Sequence, residues 1–335
     1  MKKYLWLGCA LLLLLVPPPA AKADPTRLRM PYVAVPGQLV PILYDHKEVL
    51  KHYGVTYTVE AIRLPGSGPQ LTALAAGELE AAIFAPAAFA LAIQNAHMDD
   101  IRVVADITRD GYRDYHTRKF MVLANSAIRK VEDLKGKVIA SNSIGGAMDM
   151  AMRSFLGTHG LQDKRDYSVV EIDFANQLAA LTAGKSDLAF MTIPFSIPPI
   201  KDGSVRTLFT MKQAMGGASE LSVMCLRASF IAAHRAALVD FFEDTQRAMR
   251  WFLDPKNRGA VLDIVARFTK RPASAYADWL FTKEDDYHDV DARVDLDVMQ
   301  RDIDTMRRTG MVNIAIDVKK YADPSLVEDA VKRLH

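Results

Sequence analysis

Leu71–Ile93 reads LTALAAGELEAAIFAPAAFALAI, and Leu178–Ile200 reads LAALTAGKSDLAFMTIPFSIPPI. At an offset of 107 residues, Leu71/Leu178, Ala73/Ala180, Leu74/Leu181, Ala76/Ala183, Gly77/Gly184 and Ala82/Ala189 are identical. A short helix, a glycine stop, an acidic residue, a short apolar strand and a proline recur in that order. The match extends upstream, where Leu50 and Gly54 correspond to Leu156 and Gly160. Each unit therefore alternates strand and helix, with strands expected at Arg29–Val35, Thr56–Leu64 and Ala81–Phe84, then at Lys137–Ala140, Ser168–Ile172 and Leu188–Met191. Short apolar strands between amphipathic helices indicate α/β architecture with mostly parallel sheets. Two like units predict two lobes, and a cleft between lobes is a natural place for a small ligand.

The N-terminus reads as an export signal. Lys2 and Lys3 precede an apolar run of 13 residues, Tyr4–Val16, which is too short to span a bilayer. Pro17–Pro19 break the run, and Ala21-Lys22-Ala23 is a small-x-small cleavage site, so 1–23 is the expected signal peptide. Its loss leaves 312 of the 335 residues, with 39 basic against 40 acidic side chains. A chain so balanced, without basic blocks, excludes nucleic acid as the expected partner. After cleavage only Cys225 remains, within the apolar strand LSVMCLRA, so no internal disulfide forms and a buried inert thiol is expected.

A two-lobed chain must cross between lobes. Phe120–Leu123 is the expected first crossing and Leu221–Leu226 the second. Lobe 1 is then discontinuous, 24–119 with 227–335, and lobe 2 is 120–226. The tail reads as helical over Phe230–Phe252 and Asp295–Thr309.

Three small-residue loops follow strand ends, where open α/β sheets place ligands. They are Pro36-Gly37-Gln38, before an expected helix Val40–Tyr53; Pro65-Gly66-Ser67-Gly68-Pro69, before Gln70–Ala76; and Ser141-Asn142-Ser143-Ile144-Gly145-Gly146, before Met148–His159. Free N–H groups at helix N-termini attract anions. Phe84-Ala85-Pro86 and Thr192-Ile193-Pro194-Phe195 are expected to face each other as jaws, with Phe84 and Phe195 as apolar walls. Catalytic and metal signatures are missing: the eight histidines show no HxxxH or HExxH spacing, and no G-x-S-x-G elbow occurs. Glu284-Asp285-Asp286 reads as a solvated turn. Arg109, Arg113 and Arg118 are candidate counter-ions only through proximity to the first crossing.

On these residues, together with IRVVADI at 101–107, VEDLKGKVIASNSIGGAMDMAM at 131–152 and DVMQRDIDTMRRTGMVNIAIDVKKYADPSLVEDA at 297–330, the chain resembles periplasmic solute-binding proteins of the nitrate/sulfonate/taurine (NitT/TauT) class of ABC importers. The resemblance implies the type II periplasmic-binding fold, with two lobes, two crossing strands and a hinge. It also implies a monomer without cofactor or catalysis that delivers its ligand to a membrane permease and its ATPase. By position, the ligand contacts it implies are Gly37, Gln38, Ser67, Gly68, Phe84, Pro86, Asn142, Ser143, Gly145, Gly146, Thr192, Pro194 and Phe195. The expected ligand is a small organic anion, a sulfonate, carboxylate or aromatic acid. A ligand sensor is the alternative. An enzyme making the thiamine pyrimidine is disfavoured, because the cysteine-rich segment of that relative is missing here.

Overall fold

The computed structural model describes residues 24–334, so the signal-peptide reading of 1–23 lies outside the described residues. The first stretch of chain forms β1 (Thr26–Tyr32), α1 (Val40–Leu43), β2 (Tyr57–Arg63), α2 (Ser67–Ala75), β3 (Ala81–Phe84), α3 (Pro86–Ala96) and β4 (Ile101–Asp110). Next come β5 (Lys119–Leu123), β6 (Lys137–Ser141), α4 (Ala147–Thr158), β7 (Tyr167–Glu171), α5 (Gln177–Thr182), β8 (Leu188–Met191), α6 (Ile197–Lys201), β9 (Val205–Thr210) and α7 (Met211–Ala214). β10 (Ser219–Arg227) leads into α8 (Ala228–Leu253), α9 (Arg258–Thr269), α10 (Leu296–Arg308) and α11 (Ser325–Leu334).

Strand order shows how deep the repeat goes. The second sheet runs β7-β6-β8-β5-β9. In the first half β1 pairs with β2, and β10 lies between β3 and β4. β1 sits beside β3, where the Glu80 N–H donates to the Arg29 carbonyl at 3.3 Å. The order β2-β1-β3-β10-β4 thus mirrors the second sheet, with an inserted strand in fourth place each time. Both inserted strands, β10 and β5, run antiparallel to their neighbours, while β1–β2, β6–β7 and β6–β8 are parallel. Every antiparallel pairing involves an inserted strand, so the sheets are mixed only there, because a strand inserted from elsewhere in the chain need not follow the βαβ direction.

The buried polar groups repeat as well. Gln70 and Gln177 stand one residue before the two quoted stretches, and both are fully buried. Gln70 Oε1 accepts the Ile83 N–H at 2.8 Å, and Gln177 Oε1 accepts the Phe190 N–H at 2.8 Å. The repeated acid acts alike in both halves: Glu80 Oε2 accepts from Arg29 N at 2.7 Å, and Asp187 Oδ2 from Val138 N at 2.9 Å. Each ties a strand's backbone to the turn after the neighbouring helix, which fixes where that strand ends.

The expected helix Val40–Tyr53 stops at Leu43, followed by a single 3-10 turn at Lys47–Val49. Buried Asp244 accepts the N–H groups of Lys51 and His52 at 2.8 Å each, supplying the backbone partners a helix would have provided. Tyr44 stacks on Phe241 and meets Tyr57 edge-on, so the chain follows aromatic packing instead of helical periodicity. The long helix α8 buries Leu238, Phe241, Phe242 and Phe252, in one cluster with Ile83, Met224 and Leu226 of the first sheet. On the sheet's other face, Met299 and Ile303 of α10 join Phe84, Val223 and Cys225.

Candidate ligand-binding cleft

Opposite faces of β3 serve different purposes. Phe84 has 0% exposure and belongs to the core with α10, while its neighbours Ile83 and Ala85 line a cavity. Side chains alternate along a strand, so the expected phenylalanine jaw is displaced by one residue to the other face. The cavity contains about 710 Å³ of space free of protein atoms, its mouth included. Both sheets and their loops supply the wall.

Of the residues singled out in the sequence, Gly37, Gln38, Ser67, Asn142, Gly146 and Thr192 line this cavity. Gly68, Phe84, Pro86, Ser143, Gly145, Pro194 and Phe195 are not in its wall. Ser143 is buried with its side chain against Gly66 of the facing loop, and Phe195 lies under Arg271, whose guanidinium carbon is 5.2 Å from the ring centre. The wall also holds Arg118, one of the three candidate counter-ions, and residues the sequence reading passed over: Thr108, Met148, Phe174, Leu221 and Ser222. Thr108 and Ser222 face each other across β4 and β10, with hydroxyl oxygens 2.8 Å apart. A serine inside the apolar run LSVMCL was the available signal.

Helix ends set the electrostatics. α2 begins after Gly66, α3 after Ala85 and α4 after Gly146, and none of the three has a side-chain cap. Residues at all three starts line the cavity. First-turn N–H groups and the positive ends of the helix dipoles therefore border the space, an arrangement suited to an oxyanion.

Among the described residues Arg118 is the only charged side chain in the wall. Its Nη1 donates to Asp286 Oδ1 at 2.8 Å and to Asp110 Oδ1 at 3.3 Å, and its Nη2 donates to Asp286 Oδ2 at 2.6 Å. Burial opposes the guanidinium charge, but Asp286 and Asp110 outweigh it and raise the pKa above its ordinary value. The solvated reading of Glu284-Asp285-Asp286 holds for exposed Glu284 and is corrected for the two aspartates. Asp285 and Asp286 are 1% and 2% exposed, drawn inside by the N–H groups of Phe281 and Asp286 and by Arg118. Arg109, the other buried candidate counter-ion, lies outside the cavity wall, bonded to Glu220 at 2.9 Å.

These acids give the fold a pH signature. Burial, then the Asp286 charge, pushes Asp285 up to about 8, and burial pushes Asp302 up to about 7. Both lie above the unfolded value of about 3.9, so the folded chain keeps protons that the unfolded chain has released. Their stabilisation is complete below pH 4 and is lost as pH rises through 7 and then 8. His116 acts oppositely: burial holds it down at about 4, so its contribution is lost as pH falls below the unfolded value of about 6.5. Between pH 6.5 and 8.5 Asp285 and Asp302 together should lower the unfolding free energy by roughly 2–3 kcal/mol. Urea denaturation at both pH values measures this. Asp285→Asn should remove most of the slope, and a stability that is flat or rises over the interval would show Asp285 ionised in the fold.

Residues 21–266 match the model of the NMT1-like family. The chain belongs to that family. No curated protein matches it in sequence. Among solved structures, the alkanesulfonate-binding protein SsuA from Xanthomonas axonopodis pv. citri bound to MOPS is similar, with TM-score 0.68, 18% identity, and coverage of 90% of this chain and 99% of that one. The periplasmic nitrate-binding protein NrtA from Synechocystis PCC 6803 gives TM-score 0.71 at 15% identity, covering 93% and 89%. The desulfurization enzyme DSZB gives 0.61 at 15% identity, covering 92% and 100%. The NMT1-like chain thus shares its fold with binding proteins and with an enzyme. Among the described residues no helix is long and apolar enough to cross a membrane. The thiol of Cys225 is fully buried, raised in pKa by that burial, and lies outside the cavity wall.

Proposed function

We infer that this protein is the periplasmic solute-binding component of an ABC importer, and that it captures a small organic anion without transforming it. The observation that carries the reading is a cavity walled from both sheets and bordered by three helix starts without side-chain caps. A ligand touching both halves favours the closed arrangement, and only that differential affinity can drive closure. Lobes 24–119 with 227–335 and 120–226 would move about β5 and β10, then present the closed form to a permease with its ATPase. Micromolar capture requires about −8 kcal/mol, within reach of a few charge-assisted hydrogen bonds at about 1.5–3 kcal/mol each plus contact with Met148, Phe174 and Leu221. The similarity to sulfonate- and nitrate-binding proteins supports the same reading.

Mass spectrometry of small molecules released from the purified protein tests it, followed by melting curves with sulfonates, aromatic carboxylates and nitrate. The expected result is an anion recovered unchanged that raises the melting temperature. A chemically altered product would favour an enzyme, and stabilisation by cations or neutral compounds alone would overturn the anion assignment.

A further inference from the structure

Two carboxylates hold Arg118, yet a guanidinium has three edges. Asp286 takes the end of the Arg118 guanidinium, one oxygen on Nη1 and one on Nη2. Asp110 takes the remaining hydrogen of Nη1. Covalent geometry places Nη2 on the same side as the Nε–H, so the unused pair is Nε–H with the outer hydrogen of Nη2. These two N–H bonds are parallel and form the side edge that matches two oxygens of one oxyanion. Among the described residues no protein acceptor bonds to Arg118 Nε. That atom also differs from Nε of Arg206, Arg247 and Arg301, which are sealed from solvent without a partner.

We propose that Arg118 reads the ligand's head group through its Nε/Nη2 edge, with Asp286 and Asp110 as positioning residues that hold the guanidinium flat against the cleft wall. The proposal rests on the solute-binding reading above and assigns the contact that selects an oxyanion with two available oxygens, a carboxylate or a sulfonate. Because Asp286 already offsets the arginine's charge, selectivity comes from the geometry of two parallel donors more than from net charge. Lysine, a point charge with no fork, cannot replace it.

The test uses the mature protein with monocarboxylates from acetate to benzoate, the sulfonates with the same organic bodies, and the corresponding neutral amides, each titrated by calorimetry. At least one carboxylate or sulfonate should bind, and the carboxamide with the same organic body should bind at least about tenfold more weakly, since a carboxamide offers a single acceptor oxygen. Arg118→Lys should weaken the same oxyanion by about tenfold or more with the heat of unfolding retained. The relative strength of carboxylate and sulfonate identifies which head group the edge prefers. A crystal structure of the unmutated protein with the bound oxyanion keeps the proposal testable should Arg118→Lys fail to fold. It should place two ligand oxygens within hydrogen-bond distance of Nε and Nη2. Equal binding of acid and amide, a folded lysine variant within threefold of the parent, or a head group seated away from Arg118 each overturns the proposal and leaves solute capture standing. If no compound in the three series binds, both this proposal and anion capture fail.

Discussion

Gly66→Val is expected to weaken ligand binding by on the order of 100-fold, about 2.7 kcal/mol, while leaving the unliganded fold intact. Gly66 has φ 171°, which is extended backbone open to any residue, so its own conformation does not demand glycine. The demand comes from across the cleft. A Cβ at Gly66 would lie 2.5 Å from both Cβ and Oγ of Ser143, and Cβ of a serine cannot swing aside. Beside this contact, Arg63 pairs with Asp173 at 3.1 Å and Asn142 donates to the Pro65 carbonyl at 3.4 Å, so the rims of the two halves touch here. A valine would hold these rims apart, and a ligand that gains its affinity from both walls would lose one of them. Small-angle scattering with saturating ligand should show the variant remaining larger than the parent. Gly68 provides the control, since a Cβ there would meet only the Ile144 carbonyl, at 4.0 Å. Gly66→Ala combined with Ser143→Gly should recover much of the affinity lost by Gly66→Ala alone, because the clash needs both partners. Parent-like affinity in Gly66→Val would show that closure does not bring these loops together.

The contrast between Gly66 and Phe84 shows what was legible in the sequence. The repeat located β3 and β8 at their observed bounds, because apolar runs between a glycine stop and a proline leave few alternatives. Ser67, Asn142 and Gly146, which line the cavity, were singled out by a rule about loops after strands, which concerns local chain order. Phe84 misled because four consecutive buried residues, Ala81–Phe84, carry no alternation to tell one face from the other. Asp285 and Asp286 misled more deeply. The burial of Asp286 depends on Arg118, 168 residues away, and no local pattern records such a partner. Gln70 and Gln177 were identical residues one position outside the quoted repeat, so their shared role was visible in principle once a buried glutamine was allowed to stand in for a backbone partner.

Arg109→Met is expected to cost about 3–5 kcal/mol at pH 8, the penalty of stranding buried carboxylates, with ligand affinity in the surviving folded protein within about threefold of the parent. Arg109 is 4% exposed. Its Nε donates to Glu220 at 2.9 Å, Asp106 and Asp289 lie within 3.7 and 3.9 Å, and it also donates to the Arg293 carbonyl. The rings of Tyr112 and Tyr287 flank the guanidinium at 5.0 and 5.7 Å. Methionine can replace the stem's packing but none of this charge. Asp106 already has a raised pKa, from burial first and the Glu220 charge second, and among the described residues no N–H or O–H donor bonds to either of its oxygens. Without Arg109 the two acids face each other with nothing to offset them, and the inexpensive escape is to take up a proton. The cost should therefore shrink toward pH 5, where protons are plentiful, giving the variant a stability that falls with pH more steeply than the parent's. Denaturation curves of both proteins at pH 5 and 8 measure the difference. A loss that is equal at the two pH values would mean that packing around Tyr112 and Tyr287, and not charge, is what Arg109 supplies. A loss larger at pH 5 would mean that Asp106 and Glu220 are not the groups it holds.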